Sequence, residues 1–489
     1  MTMTSIDHLE PSIVWKHFAM LCATPRPSKH EAALRANLIR WAKERSLAVI
    51  EDAAGNLIVR KPATPGAEHC PGVVLQGHLD MVCQKNAGIA HDFLTDPIRP
   101  QLVDGWLVAP HTTLGADNGI GVALALAALE SDDLAHPALE VLLTVDEEAG
   151  MGGVRGVMPG TLRGAHLINL DTEEWGKLYI GCAGGLDVRV RQIVRTEAAG
   201  DDLDHWNITV SGLQGGHSGI DIHRGRGNAI KLLVEWLAEA AKLPGVRIST
   251  LHGGTARNAL PREAFATVCA PAEHAQALHD LTARLQADWQ ARLRGIDDGV
   301  RACLQASDTL PTRLLGDGEQ TRLLSFLAQA PHGVRADSRE FPGVVETSNN
   351  LGVVSFQDGA LEAVFMVRSL KREAFAALAD EIVALARKHG ADAEKIGVYP
   401  AWTPDPASPL LARFQQVYAR EFGAPAQTEI IHAGLECGLL SASHPALQMI
   451  SFGPDIRGAH APGERVEVAS VGKCWQLLRA VLNDLAAVT

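Results

Sequence analysis

Over its first 185 residues the chain alternates unbroken apolar runs with glycine-rich turns. Val73-Val74-Leu75, 139–145 and 166–170 read as strands buried on both faces, and a Gly, Ala, Val and Leu stretch over about 120–130 reads as a buried helix, apolar almost all round. Before them a helix over 13–22 stops at Pro25 and Pro27. Ser28 and Glu31, at capping-box spacing, then predict a second helix running to about 45. Short strands near 48–51 and 56–60 flank the turn Ala54-Gly55-Asn56, and another over 105–108 precedes a Gly-rich turn at 112–119. Buried strands alternating with buried helices predict an α/β domain: a mixed, mostly parallel sheet with flanking helices.

From about 186 the period changes to two. Strands over 187–195 and 205–212 are followed by a helix at 227–242, strands at 247–258 and 263–268, a helix at 272–293 and a strand at 300–306. A weaker copy follows, with a helix at 319–330, strands at 349–357 and 360–367, a helix at 371–389 and a strand at 395–401. The two share an order of elements and no detectable sequence identity, which predicts an inserted α+β domain of two βαββαβ units. After Pro404, Pro406 and Pro409 the first pattern returns, with a helix at 410–422, a segment at 430–440, a strand at 447–452 and a last helix at 470–487. The expected division is therefore a catalytic domain in two parts, 1–185 and 403–489, around an insertion at 186–402.

A chain of 489 residues is long enough for more than one core, and 46% hydrophobic with 21% charged residues is an ordinary globular balance. The net charge of −13 argues against nucleic acid or an anionic membrane surface as partner and points to a small substrate. No run of about 18 apolar residues is present to span a membrane. Residues 1–11 carry Asp7 and Glu10 without an apolar run, so no signal peptide is expected; eight scattered cysteines without a C-x-x-C pair read as reduced thiols of a cytoplasmic protein.

The ends of the apolar strands collect the chemistry. His78 and Asp80, two apart at the end of the 73–78 run, share a face; Asp117 sits in the Gly-rich turn, Glu147 and Glu148 follow the 139–145 strand, and Asp171 follows the 166–170 strand. The loop 453–464, rich in Gly and Pro after another strand, adds His460. Two imidazoles and three carboxylates suit two divalent ions roughly 3.5–4 Å apart, one carboxylate bridging. About +4 of metal charge then offsets acids that would otherwise be costly to crowd together. Nitrogen and oxygen donors without Cys favour zinc, with manganese or cobalt as alternatives, over magnesium. Adjacent side chains diverge, so one of Glu147 and Glu148 can ligate while the other acts as general base on water.

Gly77-His78-Leu79-Asp80, Gly115-Ala116-Asp117-Asn118-Gly119, Glu147-Glu148, Asp171 and His460 resemble, in order and spacing, the co-catalytic zinc peptidase family of carboxypeptidase G, aminoacylase and carnosinase. Gly215-Gly216-His217-Ser218-Gly219, Arg257-Asn258-Ala259-Leu260-Pro261 and His432-Ala433-Gly434-Leu435-Glu436 are similar to its bacterial aminoacyl-histidine dipeptidases. The resemblance implies that His78 and Asp171 hold one metal, Glu148 and His460 the other, and Asp117 both. It implies that Asp80 orients His78, that Glu147 is the general base, and that the Asp117–Asn118 peptide is cis. The insertion becomes a lid, with His217 stabilising the oxyanion and with Asn258, Arg368 and Gly434 contacting substrate. The expected activity is hydrolysis of unblocked dipeptides, notably Xaa-His of the β-alanyl-histidine type, with an N-acyl-amino-acid amidohydrolase or carboxypeptidase as the alternative. A homodimer is compatible with this reading, as is a monomer.

Overall fold

The computed structural model describes residues 6, 8–200, 202–307 and 313–487. The chain divides into two compact units, one made of Met1–Cys182, Trp402–Ile430 and Leu435–Thr489 and the other of Ala183–Ala401 and Ile431–Gly434. The return of Ile431–Gly434 to the second unit is invisible to hydropathy, because the segment starts on the last residue of a strand and runs toward a helix of the first.

The first unit is built on an eight-stranded sheet, in the order Ala48–Glu51, Leu57–Lys61, Leu139–Thr144, Val73–His78, His166–Asn169, Gln448–Ser451, Lys177–Cys182 and Gln427–Ile431. The central four strands, Leu139–Thr144 to Gln448–Ser451 in that order, are parallel, and they pair antiparallel with Leu57–Lys61 on one side and Lys177–Cys182 on the other. Val73–His78 and Leu139–Thr144 are buried over their full lengths, as their apolar runs require. Helix Ala116–Glu130 is buried along almost its whole surface and packs on Val73–His78 and on helix Ser12–Ala23. Contact at Gly77 is close: a Cβ there would lie 2.3 Å from Asn118 Oδ1. The strand predicted at 105–108 is Trp106–Val108; it lies in a small sheet in the order Ile456–Arg457, Arg465–Glu467, Trp106–Val108 and Gln101–Val103, whose other three strands, like Lys177–Cys182, sequence reasoning missed.

In the second unit the strands run Arg301–Ala306, Leu203–Ser211, Ala264–Pro271, Arg247–Gly253, Val345–Gln357, Ala360–Ser369, Gly184–Ile193 and Asp392–Tyr399, all antiparallel, with Gly333–Asp337 beside Val345–Gln357. The duplication is present, but its boundaries differ from the sequence reading. Counting Leu203–Ser211, Arg247–Gly253, Ala264–Pro271 and Arg301–Ala306 as strands one to four, the first copy lies in the order 4-1-3-2. The second copy takes Gly184–Ile193 as strand one and, with Val345–Gln357, Ala360–Ser369 and Asp392–Tyr399, repeats 4-1-3-2; the copies meet at their second strands. The strand predicted at 187–195 thus belongs to the later copy, and the earlier one is inserted after it. Local periodicity reveals a strand but not its partner. Trp236, Leu285 and Trp289 from the first copy and Phe326, Phe365 and Ile382 from the second fill one continuous core.

Candidate metal centre

The strand Val73–His78 delivers His78, 1% exposed, at its carboxyl end. Asp80, fully buried, is held by four groups: its carboxylate accepts from the Ser28 hydroxyl (2.7 Å) and from the backbone N–H groups of Glu147 (3.0 Å) and Glu148 (3.1 Å), and lies 3.3 Å from His78 Nδ1. It ties the His78 strand to the turn carrying both glutamates, and its backbone carbonyl also lies 3.2 Å from His78 Nδ1. This corrects the capping-box expectation. Helix Ala32–Glu44 has Glu31 as N-cap without a side-chain cap, Ser28 donates to Asp80, and the Glu31 carboxylate accepts from the N–H groups of Lys29 (2.9 Å) and Asp146 (3.0 Å). A tertiary partner displaced the local one.

Of the five expected metal-binding side chains, Asp117 is central, with both histidines on its carboxylate and Asp171 and Glu148 each beside one histidine. Asp117 Oδ1 is 3.2 Å from His78 Nε2 and its Oδ2 3.0 Å from His460 Nε2. His78 Nε2 is also 3.3 Å from Asp171 Oδ1, and His460 Nε2 is 3.1 Å from Glu148 Oε1. One carboxylate thus faces two imidazole and carboxylate pairs, and the Asp117–Asn118 peptide is cis. Among the described residues, donor atoms of His78, Asp117 and Glu148 lie within 4.8 Å of one another. Asp171 Oδ1 and Glu148 Oε1 are buried and, despite their nearby histidines, receive no hydrogen bond. Buried oxygens with unused lone pairs, aimed where nitrogen donors also point, fit divalent cations.

Electrostatics show how much negative charge is concentrated here. Burial lowers the affinity of His460 for a proton, but Asp117 and Glu148 outweigh it and raise its pKa to about 11. Burial pushes Asp171 up to about 7 against the pull of His78. Glu147 is held well above the ordinary carboxylate range by burial, opposed by His78 and reinforced by Glu148 and Asp171.

Three further residues, to which sequence reasoning gave no role, fix this geometry. Glu464, buried, accepts from four successive backbone N–H groups: Leu114 (2.8 Å) and Gly115 (3.0 Å) at one oxygen, Ala116 (2.8 Å) and Asp117 (3.3 Å) at the other. It anchors the His460 loop to the turn bearing Asp117. Arg26, 2% exposed, donates to the carbonyls of Leu79 (3.0 Å), Asp80 (3.0 Å) and Gly115 (2.5 Å). Asn118 accepts from the N–H of His78 (3.3 Å) and donates to the carbonyl of Leu170 (2.6 Å), joining two ligand-bearing strands. The signal for Glu464 was an acid closing a Gly- and Pro-rich loop; nothing local marks Arg26.

The remaining predicted residues lie in the second unit. His217 Nδ1 accepts from the N–H groups of Gly219 (3.2 Å) and Ile220 (3.1 Å), so a neutral ring carries its proton on Nε2. Asn258 is exposed in a loop, beyond a strand that ends at Gly253 rather than 258, and its carbonyl accepts from Ser218 N–H at 2.8 Å. Arg368 lies inside strand Ala360–Ser369 rather than past its end; it is 3% exposed, donates to Tyr399 Oη (2.8 Å), and its Nε makes no hydrogen bond. Gly434 is half-buried in the Ile431–Gly434 segment. A Cβ on Gly219 would lie 2.1 Å from the His432 carbonyl oxygen and 3.2 Å from Arg368 Nε, so the His217 loop, Arg368 and the 431–434 segment meet there.

A family model for peptidase family M20/M25/M40 matches residues 74–484. The chain belongs to this peptidase family. Within it, the chain is 42% identical over 485 residues to the cytosol non-specific dipeptidase of Escherichia coli, covering 99% of this chain and 100% of that one. Among solved structures it is similar to the aminoacylhistidine dipeptidase of Vibrio alginolyticus, with a TM-score of 0.83, 40% identity and 98% of each chain covered. Aminopeptidase PepT of Bacillus cereus, 16% identical with a TM-score of 0.55 over 98% of this chain and 99% of that one, shares the fold. Membership makes the chain a metallopeptidase-type hydrolase. Among the described residues no helix is long and apolar enough to cross a membrane.

Proposed function

We propose that the chain is a dinuclear-metal dipeptidase acting on unblocked dipeptides, notably Xaa-His. The observation that carries this reading is the placement of His78 and His460 on the two oxygens of Asp117, each imidazole also meeting a second carboxylate, Asp171 or Glu148, in a chain alike end to end with relatives named as dipeptidases. His78 and Asp171 would hold one ion, Glu148 and His460 the other, and Asp117 both, zinc being the first choice and manganese or cobalt the alternatives. The ions, when bound, polarise the scissile carbonyl and make water more acidic.

The rest falls to the chain's own side chains. Glu147, raised in pKa by burial, takes a proton from the attacking water and passes it to the leaving amine. Asp80 keeps His78 in one tautomer and orientation. His217 offers its Nε2 proton to the developing oxyanion. Arg368, with its Nε unengaged, takes the substrate's terminal carboxylate, assisted by the Gly434 N–H, and Asn258 contacts the substrate backbone. In this reading the insertion acts as a lid that limits substrate length. The Escherichia coli relative is named as cytosolic, and we assign this chain to the same compartment.

The Vibrio relative is named for aminoacyl-histidine substrates and the Escherichia coli one as non-specific, so a broad preference that includes Xaa-His is the reading adopted. Rates on β-alanyl-histidine, its N-acetylated form and a tripeptide test it. The free dipeptide should be cleaved at least about tenfold faster than either. A preference for the acetylated substrate would establish the amidohydrolase alternative instead.

A further inference from the structure

Near its carboxyl end each central parallel strand of the first unit carries one polar side chain with no solvent exposure: Thr144, Gln76, Asn169 and Ser451. Gln76 stands opposite Asn169 and Asn169 opposite Ser451, while Thr144 stands opposite His78. Glu436, the first residue of helix Glu436–Ser443 and equally buried, closes the row. Every donor points the same way. Ser451 Oγ donates to Asn169 Oδ1 (2.5 Å), Asn169 Nδ2 to Gln76 Oε1 (2.5 Å), and Gln76 Nε2 to Glu436 Oε2 (2.5 Å), the same oxygen that accepts from Thr144 Oγ1 (2.6 Å).

The row has a direction and ends on Glu436 Oε2, which accepts from both Gln76 and Thr144. Glu436 therefore dictates which way the amides of Gln76 and Asn169 face. Those amides stand directly behind the metal-binding residues. Gln76 is two residues before His78 on the same strand, Asn169 Oδ1 also accepts from the backbone N–H of Asp171 at 3.3 Å, and Thr144 leads into the turn of Glu147 and Glu148. We propose that Glu436 is a positioning residue of the metal centre, the terminal acceptor of a buried crossbar that locks the strand ends bearing His78, Asp171, Glu147 and Glu148 in one stagger. The inference rests on the metal-centre reading above and extends it to a residue that reaches neither substrate nor ion.

Removing the acceptor leaves the Gln76 amide and the Thr144 hydroxyl with only their longer bonds, Gln76 Nε2 to Thr144 Oγ1 (3.5 Å) and Thr144 Oγ1 to the Gly77 carbonyl (3.3 Å). In the full-length protein, zinc or cobalt affinity measured by competition with a chromophoric chelator, kcat, KM and thermal midpoint separate the roles. Glu436→Leu should weaken metal affinity by about 10- to 100-fold and lower kcat with a KM change below about threefold. Glu436→Gln, which still presents an acceptor oxygen, should stay within about threefold of the parent. Thr144→Val, nearly isosteric, should fall between the two, and decides the matter if Glu436→Leu does not fold. Unchanged metal affinity in Glu436→Leu or Thr144→Val, even with a lowered thermal midpoint, overturns the proposal; so does a Glu436→Gln variant as impaired as Glu436→Leu. A parent protein that binds no metal would instead sink the metal-centre reading itself.

Discussion

Glu147 and Glu148 are neighbours in sequence with opposite surroundings. Glu148 Oε1 is 3.1 Å from His460, whereas Glu147 is held through its backbone, its N–H on Asp80 and its carbonyl on the N–H groups of Gly150 and Met151, and the proposed mechanism gives its carboxyl the proton transfer. Glu147→Gln should lower kcat by about 10²- to 10⁴-fold while metal content, measured by elemental analysis, stays at the parent level. Glu464 makes a different prediction. Its loss uncovers four buried backbone N–H groups, so Glu464→Ala should cost on the order of 3 kcal/mol in denaturant unfolding, with Glu464→Gln recovering part of it. At this scale the grouping of His78, Asp117, Glu148, Asp171 and His460 was legible, because the first four follow apolar strands or sit in a Gly-rich turn and His460 lies in a Gly- and Pro-rich loop after a strand, where polarity is conspicuous. Glu464, Arg26 and Glu436 were not. A buried acid or guanidinium looks like a surface residue until the segment it bonds, up to 360 positions away, is known.

Among the elements, the buried strands Leu139–Thr144 and His166–Asn169 followed from hydropathy to within one residue, because burial on both faces imposes a continuous run, whereas the buried helix Ala116–Glu130 starts about four residues before its predicted start and Lys177–Cys182 was missed. Half-exposed strands were equally readable, but their pairing was not. Assigning Gly184–Ile193 to the second copy required the hydrogen bonds to Ala360–Ser369 and Asp392–Tyr399. The His217 loop shows what such pairing positions. Gly219→Ala places a methyl against the His432 carbonyl and beside Arg368, so loop and segment must separate. The variant should raise KM and lower kcat on dipeptides at least tenfold while metal affinity is unchanged.

For the whole molecule, the two copies set His217 and Arg368 against the same glycine of the second unit, and the duplication is proposed to let one chain supply these residues in cis. Mixing Glu147→Ala chains with His217→Ala chains should then give no more dipeptidase activity than the two variants assayed apart, and recovered activity would assign His217 to a partner subunit. The claim beneath all of this is that the strand ends form a two-metal hydrolytic centre. Its most direct test is to strip the protein with a chelator and titrate zinc, manganese or cobalt back while following β-alanyl-histidine hydrolysis and bound metal together. Activity should vanish on chelation and return in full only as two ions bind per chain. Undiminished hydrolysis by the stripped protein, or saturation at a single ion, would contradict the account.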